Sequence, residues 1–248
     1  MNFKVIIPIL FLCTISIAPA RAQKIKNIQN VGNQISNAVG GNQAGGLSND
    51  KIVGGLKDAL DVGTKNTVNR VSASDGFLKN PSIKIPFPPS AKKMESTLKN
   101  MGMGPQVDKF VTSLNRAAED ASKEAAPIFT NAIRGMSISD GMSILKGQDN
   151  AATEFLKTNT NEQLKAKMRP IVKQAISKNQ VAQYWSPLAK TYNQLPTTKK
   201  KVQPNLEEYV TDRALEGLFR GIADEELKIR KDPASRVTDL LKQVFGSL

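Results

Sequence analysis

Gly104-Pro105-Gln106-Val107-Asp108-Lys109-Phe110-Val111-Thr112-Ser113-Leu114-Asn115-Arg116-Ala117-Ala118-Glu119-Asp120-Ala121 is the stretch that decides the fold class. Pro105 stands where a proline opens a helix, because a first-turn residue needs no amide hydrogen and the ring presets φ. Val107, Phe110, Val111, Leu114, Ala118, Ala121 and Ala125 then fall at i, i+3, i+4, i+7, i+11, i+14 and i+18. That spacing is one apolar stripe on a 3.6-residue helix, and alternation of period two is absent.

Working outward, the same period returns almost everywhere. From Leu47, the residues Ile52, Val53, Leu56, Leu60, Val68 and Val71 share a helical face, and Asp75-Gly76 is a turn. Pro81, Pro86, Pro88 and Pro89 exclude a helix over 80–89, so Ile83, Ile85 and Phe87 alternate along an extended segment, read as one strand or a short hairpin. A helix follows from Ser90 to Met101, stopped by Gly102. Beyond Ala125, Pro127 kinks or restarts the helix, and Ser137 or Ser139 caps a short one ending near Gly147. The next helices span Asn150–Lys157, Thr160 past Pro170 to Ser177 (with Thr160 and Gln163 as a capping box), and Val181–Leu195. Asn205 and Glu208 form a second capping box before Leu206, and Asp232-Pro233 opens a last helix ending near Gly246. The expectation is an all-α fold: a single multi-helix domain of about nine helices over residues 47–248.

The N-terminus has the marks of a secretory signal peptide over residues 1–22. Lys4 is the charged start, Val5 to Ala18 the apolar run, and Ala20-Arg21-Ala22 the small-x-small cleavage site. The apolar run is too short to span a bilayer. Cys13 as a lipidation site fits less well, since bulky Leu12 precedes it. Residues 23–46, rich in Asn, Gln and Gly, read as a tether. No later stretch reaches membrane-spanning length, so the mature chain is expected in the periplasm, without a transmembrane segment.

Composition excludes whole chemistries. The chain has no histidine, and its single cysteine, Cys13, lies in the leader. The mature chain therefore holds no thiolate nucleophile, no imidazole base and no Cys/His zinc site. The thioethers of Met94, Met101, Met103, Met136 and Met142 are the only soft donors grouped in sequence, and Met at helical spacing fills core gaps, so no metal and no cofactor is expected. Gly102-Met103-Gly104 is a turn between helices and lacks the Lys-Ser/Thr of a phosphate cradle. The formal net charge is +13, spread along the chain. Its only dense run, Lys199-Lys200-Lys201 between Pro196 and Pro204, reads as a solvated loop. Aromatic residues are 5%, too few for base-stacking platforms, so nucleic acid is not an expected partner. The partner is left as an envelope protein or an anionic envelope component.

Several segments together have a familiar look. They are Gly55-Leu56-Lys57-Asp58-Ala59-Leu60, Asp75-Gly76-Phe77, Ile83-Lys84-Ile85-Pro86, Asn115-Arg116-Ala117-Ala118-Glu119, Ile144-Leu145-Lys146-Gly147 and Ala151-Ala152-Thr153. Tyr209-Val210-Thr211, Gly217-Leu218-Phe219, Ile229-Arg230-Lys231-Asp232-Pro233-Ala234 and Val244-Phe245-Gly246 follow in order. This set resembles the bacterial domain-of-unknown-function 4197 family from Leu47 to the C-terminus. The resemblance implies an exported helical protein, and it brings no catalytic residues, because that family has no established activity.

Asn115, Arg116 and Glu119 border the apolar stripe, and Glu226 and Arg230 are an i,i+4 pair on a later helix. With Thr153 and Tyr209 they make a candidate polar cluster, read either as a ligand pocket or as a hydrogen-bond network that sets helix register. Three functions remain open. The leading one is a non-enzymatic binding or interaction module of the cell envelope. The alternatives are a hydrolase using carboxylates such as Glu119 and Glu226, and a carrier with an apolar cavity lined by Phe110, Phe129, Leu218 and Phe219. The mature protein is expected to begin at Gln23 and to carry no lipid. Intact-mass measurement checks this, and an acylated species starting at Cys13 contradicts it.

Overall fold

The computed structural model describes residues 48–198, 200–232 and 242, all within one unit spanning Leu47–Leu248. Eight α-helices occur among the described residues, and no strand. They are α1 (Asn49–Ser72), α2 (Lys92–Asn100), α3 (Gly104–Ser122), α4 (Ala125–Gly135), α5 (Ile138–Leu145), α6 (Ala151–Lys178), α7 (Val181–Asn193) and α8 (Leu206–Lys231), with a 3-10 turn at Pro89–Ala91. The all-α expectation is met. The helix expected after Asp232-Pro233 lies outside the described residues, as do residues 1–46, where a leader and a tether are expected.

Two helices organise the packing. α3 touches α1, α2, α6, α7 and α8, and α8 packs against α1, α3 and α6. The sequence of α3 explains its position. Phe110 and Leu114 are buried, and so are Ala117, Ala118 and Ala121, whose small side chains let neighbours approach from several sides. Its buried face also takes in the polar Ser113, Asn115, Glu119 and Ser122. Phe110 joins Phe87 and Trp185 in an aromatic cluster with centroids 5.0–5.6 Å apart, which ties the proline-rich segment to α3 and α7.

Helix ends follow local chemistry. Ser137 and Asp140 make a reciprocal capping box at α5, and the Asn205 side chain accepts from the Glu208 amide at α8. Pro127 sits in the first turn of a new helix, so the chain restarts at Ala125. Two expectations are corrected. Thr160 does not cap a helix: α6 runs unbroken from Ala151 to Lys178, and the Thr160 hydroxyl donates to the Leu156 carbonyl at 2.6 Å. No glycine or proline separates Lys157 from Thr160, and a threonine inside a helix satisfies its hydroxyl by this i−4 bond. The 80–89 segment holds neither strand nor hairpin: residues 81–83 form a turn in which the Ile83 and Lys84 amides donate to the Asn80 carbonyl at 3.2 and 2.8 Å, and beyond it the Ile85 backbone and the Pro86 carbonyl are met by side chains, described below.

The contact between α1 and α8 depends on Gly221. A Cβ built there would lie 2.7 Å from the Thr67 methyl, while the Thr67 hydroxyl donates to the Gly221 carbonyl at 3.2 Å. Gly217, one turn earlier, accommodates the Phe77 ring, which a Cβ would approach to 2.5 Å. The Gly-xxx-Gly spacing thus serves close packing of α1 and the following turn. Gly221→Ala is expected to cost about 1–3 kcal/mol of stability by overpacking. Adding Thr67→Ser, which removes the methyl and keeps the hydroxyl, should recover part of that loss in denaturant unfolding. Equal stability of the single and double variants counts against this account.

Candidate functional site

The nominated residues form two networks. The first is built on α8. Glu226 Oε1 accepts from the Ala152 amide at 2.9 Å, and Oε2 accepts from the Thr153 amide at 2.9 Å and its hydroxyl at 2.8 Å. These amides belong to the first turn of α6, whose N-cap residue Asn150 supplies no side-chain bond. A carboxylate from a distant helix therefore caps α6, satisfying orphan donors and opposing the positive end of the helix dipole. One turn later, Arg230 donates from Nε and Nη2 to Glu226 Oε1 at 3.0 and 2.9 Å. Its Nη2 also donates to the Ile144 carbonyl at 2.8 Å, at the C-terminal end of α5. The pair thus sets its negative member on the start of one helix and its positive member on the end of another.

The second network joins α3 to the chain after α1. Asp75 adopts a left-handed backbone, φ 69°, and turns the chain so that the amides of Phe77 and Leu78 both point at Glu119 Oε1, at 3.1 and 3.2 Å. Arg116 bridges Glu119 Oε2 at 2.7 Å and Asp75 Oδ1 at 2.6 Å. Bonds from Lys79 and Arg116 hold the Asp75 carboxyl below its ordinary value, and those to Glu119 and Asp75 raise the Arg116 guanidinium. Asn115 does for Ile85 what a neighbouring strand would do: Oδ1 accepts from the Ile85 amide and Nδ2 donates to its carbonyl, both at 2.9 Å. The Tyr209 hydroxyl donates to the Pro86 carbonyl at 3.0 Å, and burial raises its phenol above the usual range, so it remains a donor at neutral pH.

Asn115, Arg116, Glu119 and Tyr209 thus serve the turn and the proline-rich segment, while Thr153, Glu226 and Arg230 serve the α5–α6 junction. No hydrogen bond between described residues links the two sets. Asp75, Ile85 and Ala152 take part but were not nominated. Asp75-Gly76 was legible as a turn, but nothing in its spacing ties it to Arg116. The amides of Ile85 and Ala152 have no side-chain signature at all. Among the described residues, every buried side-chain nitrogen and oxygen has a hydrogen-bond partner.

The four residues expected to line a carrier cavity are spent on packing. Phe110 lies in the cluster with Phe87 and Trp185, Phe129 stacks edge-on against Phe219 at 5.8 Å, and Leu218 is fully buried. An apolar void between Leu56, Leu60, Ile144 and Ala152 measures about 20 Å³, room for about one water. An open groove of about 600 Å³ runs between α6 and α8, lined by Lys157, Asn161, Lys165, Asp212, Phe219 and Arg220. Met94 and Met136 are core residues and Met101 is exposed.

The chain belongs to the family described as "Protein of unknown function (DUF4197)", which matches residues 46–246. No curated protein and no solved structure matches it. Several segments that carry the family resemblance hold the network residues: Asp75-Gly76-Phe77, Ile83-Lys84-Ile85-Pro86, Asn115–Glu119 and Ala151-Ala152-Thr153.

The geometry ranks the two carboxylates. Losing Glu226 leaves the Arg230 side chain, only 10% exposed, beside two uncapped amides, so Glu226→Ala is expected to cost about 3–5 kcal/mol. Arg116 is 30% exposed and keeps Asp75, so Glu119→Ala is expected to cost only about 1–3 kcal/mol. Denaturant unfolding of both variants checks the order, and a reversed order refutes it.

A third carboxylate responds to pH. Burial raises the proton affinity of Asp120, but bonds from Lys178, Asn179 and Lys123 outweigh it and bring the group from 3.8 to about 2. A lowered folded-state value means the stabilisation is present above the unfolded value and lost as pH falls through the folded one. The gap in stability between wild type and Asp120→Asn is therefore expected to be full above about pH 4 and to close as pH falls through about 2. A gap independent of pH contradicts this.

Proposed function

We propose that the chain is a non-enzymatic interaction module of the cell envelope, carried there by its N-terminal leader. One observation carries this reading: the carboxylates with the strongest claim to acid/base work are already engaged, Glu226 at every acceptor position and Glu119 at three of about four. An ionised carboxylate offers about four acceptor positions. Glu226 accepts from two amides, one hydroxyl and two guanidinium nitrogens, and Glu119 from two amides and one guanidinium. A general base needs a free lone pair facing the substrate. Glu226 has every acceptor position filled, and Glu119 has three of about four filled within a buried site, so we read both as serving the fold. The surface is then left to do the binding.

The reading is tested by separating stability from function. Glu119→Gln and Glu226→Gln are melted beside wild type, and each is assayed for complexes by native mass spectrometry of protein purified from its own envelope. Variants that fold should retain every complex that wild type makes. A variant that melts like wild type yet loses its ligand or phenotype shows that the carboxylate itself is required, and overturns the proposal.

A further inference from the structure

Between Gln163 and Leu206 the sequence contains no aspartate or glutamate and nine basic residues: Lys165, Lys167, Arg169, Lys173, Lys178, Lys190, Lys199, Lys200 and Lys201. The chain-wide charge hides this block, because acids elsewhere offset it. The fold determines which of these cations are neutralised. Lys165 pairs with Asp212 at 2.8 Å, Lys178 with Asp120 at 2.9 Å, and Arg169 reaches Glu207 at 3.9 Å. Lys167, Lys173, Lys190, Lys200 and Lys201 are exposed and form no ion pair with a described residue.

The loop after α7 is pinned on both sides of its lysines. The Thr198 hydroxyl donates to the Tyr192 carbonyl at 2.7 Å, and the Val202 amide donates to Asn193 Oδ1 at 3.0 Å. Lys200 and Lys201 therefore project from a short arch fastened to the last turn of α7, the turn that carries Lys190. The same loop leads into α8, whose first turn holds Glu207 opposite Arg169, so Arg169 of α6 lies at this end as well. Lys190, Lys200 and Lys201 thus lie with Arg169 at one end of the bundle.

We infer that this end of the molecule, centred on Lys190, Lys200 and Lys201, docks on a membrane surface rich in anionic phospholipid. The inference rests on the reading above as an envelope interaction module and names its partner. Four features select a lipid surface. The unpaired cations are all lysines, compact charges suited to a field of mobile phosphates; bidentate recognition of one fixed phosphate calls for arginine. Several basic side chains near an anionic surface act together through its potential. Trp185 and Tyr192, two of the three aromatic residues in the block, are buried in the core and offer no stacking platform for single-stranded nucleic acid. No described helix is long and apolar enough to cross a membrane, so the attraction brings the chain to the surface only.

The test is co-sedimentation of the mature protein with phosphatidylcholine vesicles, with and without a third of phosphatidylglycerol. Wild type is compared with Lys190→Glu/Lys200→Glu/Lys201→Glu, and with Lys51→Glu/Lys109→Glu/Lys146→Glu, an equal change of net charge at exposed lysines outside the block. Binding should require phosphatidylglycerol and should weaken as salt rises from about 0.05 to about 0.5 M, where the screening length shrinks to a few ångströms. The first triple variant should lose about tenfold or more of the affinity, and the second much less. Melting curves identify folded variants, and Lys→Gln versions at the same positions should give a smaller loss in the same order if charge reversal unfolds the chain. Equal losses in the two triple variants, absence of wild-type binding to anionic vesicles, or tighter binding to a DNA duplex than to vesicles each overturns the inference. If vesicle binding is absent while native mass spectrometry shows a protein complex, only the membrane partner is wrong and the interaction-module reading stands. If both are absent, both fail.

Discussion

The ion pair of Glu226 and Arg230 holds together a junction that α5, α6 and α8 cannot close by apolar packing alone. A helix start leaves amide hydrogens without partners, a helix end leaves carbonyls without partners, and α5 and α6 meet with one of each. Water would satisfy these groups at the surface. Here Ala152 and Thr153 are buried, so the partners must come from the protein. An i,i+4 pair on a third helix supplies both signs of charge at the right separation, and each charge also compensates a helix dipole of opposite sign. Burying the pair is costly in itself, and the saturation of the carboxylate offsets that cost.

The same solution appears a second time with different parts. The chain between α1 and α2 has too many prolines to join a sheet and no helix to satisfy its backbone. Helix α3 meets the need with side chains: Glu119 takes the amides of Phe77 and Leu78, and Asn115 takes both polar groups of Ile85. Arg116 and Asp75 then lock the carboxylate on its outer side. Apolar packing follows once the backbone is satisfied, with Phe77 buried beside Gly217 and Phe87 on Phe110. Polar residues on the buried face of α3 are thus what permits an irregular segment to lie against the core.

This division of labour bears on function. Residues that resemble catalytic candidates by type are committed to the fold, and α3 and α8, which carry most of them, are the helices around which the others pack. The groups with freedom to meet a partner are at the surface, in the groove between α6 and α8 and among the lysines at the end of α7. The chain has no histidine, its single cysteine is Cys13, and its buried carboxylates Glu119 and Glu226 are already bonded within the fold.

The helical class, the positions of most helices, the caps at Ser137 and Asn205, and the apolar stripe of α3 were legible in the sequence, because each depends on residues within one or two turns of one another. That Asn115, Arg116 and Glu119 border an apolar stripe, and that Glu226 and Arg230 are an i,i+4 pair, was legible too, since both depend on spacing within one helix. Local signals misled at Thr160, where a capping pattern and a back-bonded hydroxyl share the same residues, and at 80–89, where alternation mimics a strand. What no local pattern contains is the choice of partner. Glu119 and Glu226 could have converged on one site; the fold sends them to different helix junctions, because each is captured by the unsatisfied amides that packing brings nearest. Which of the eight described cations in an acid-free stretch pair within the fold was likewise decided by tertiary structure, since Asp120, Glu207 and Asp212 all come from other helices.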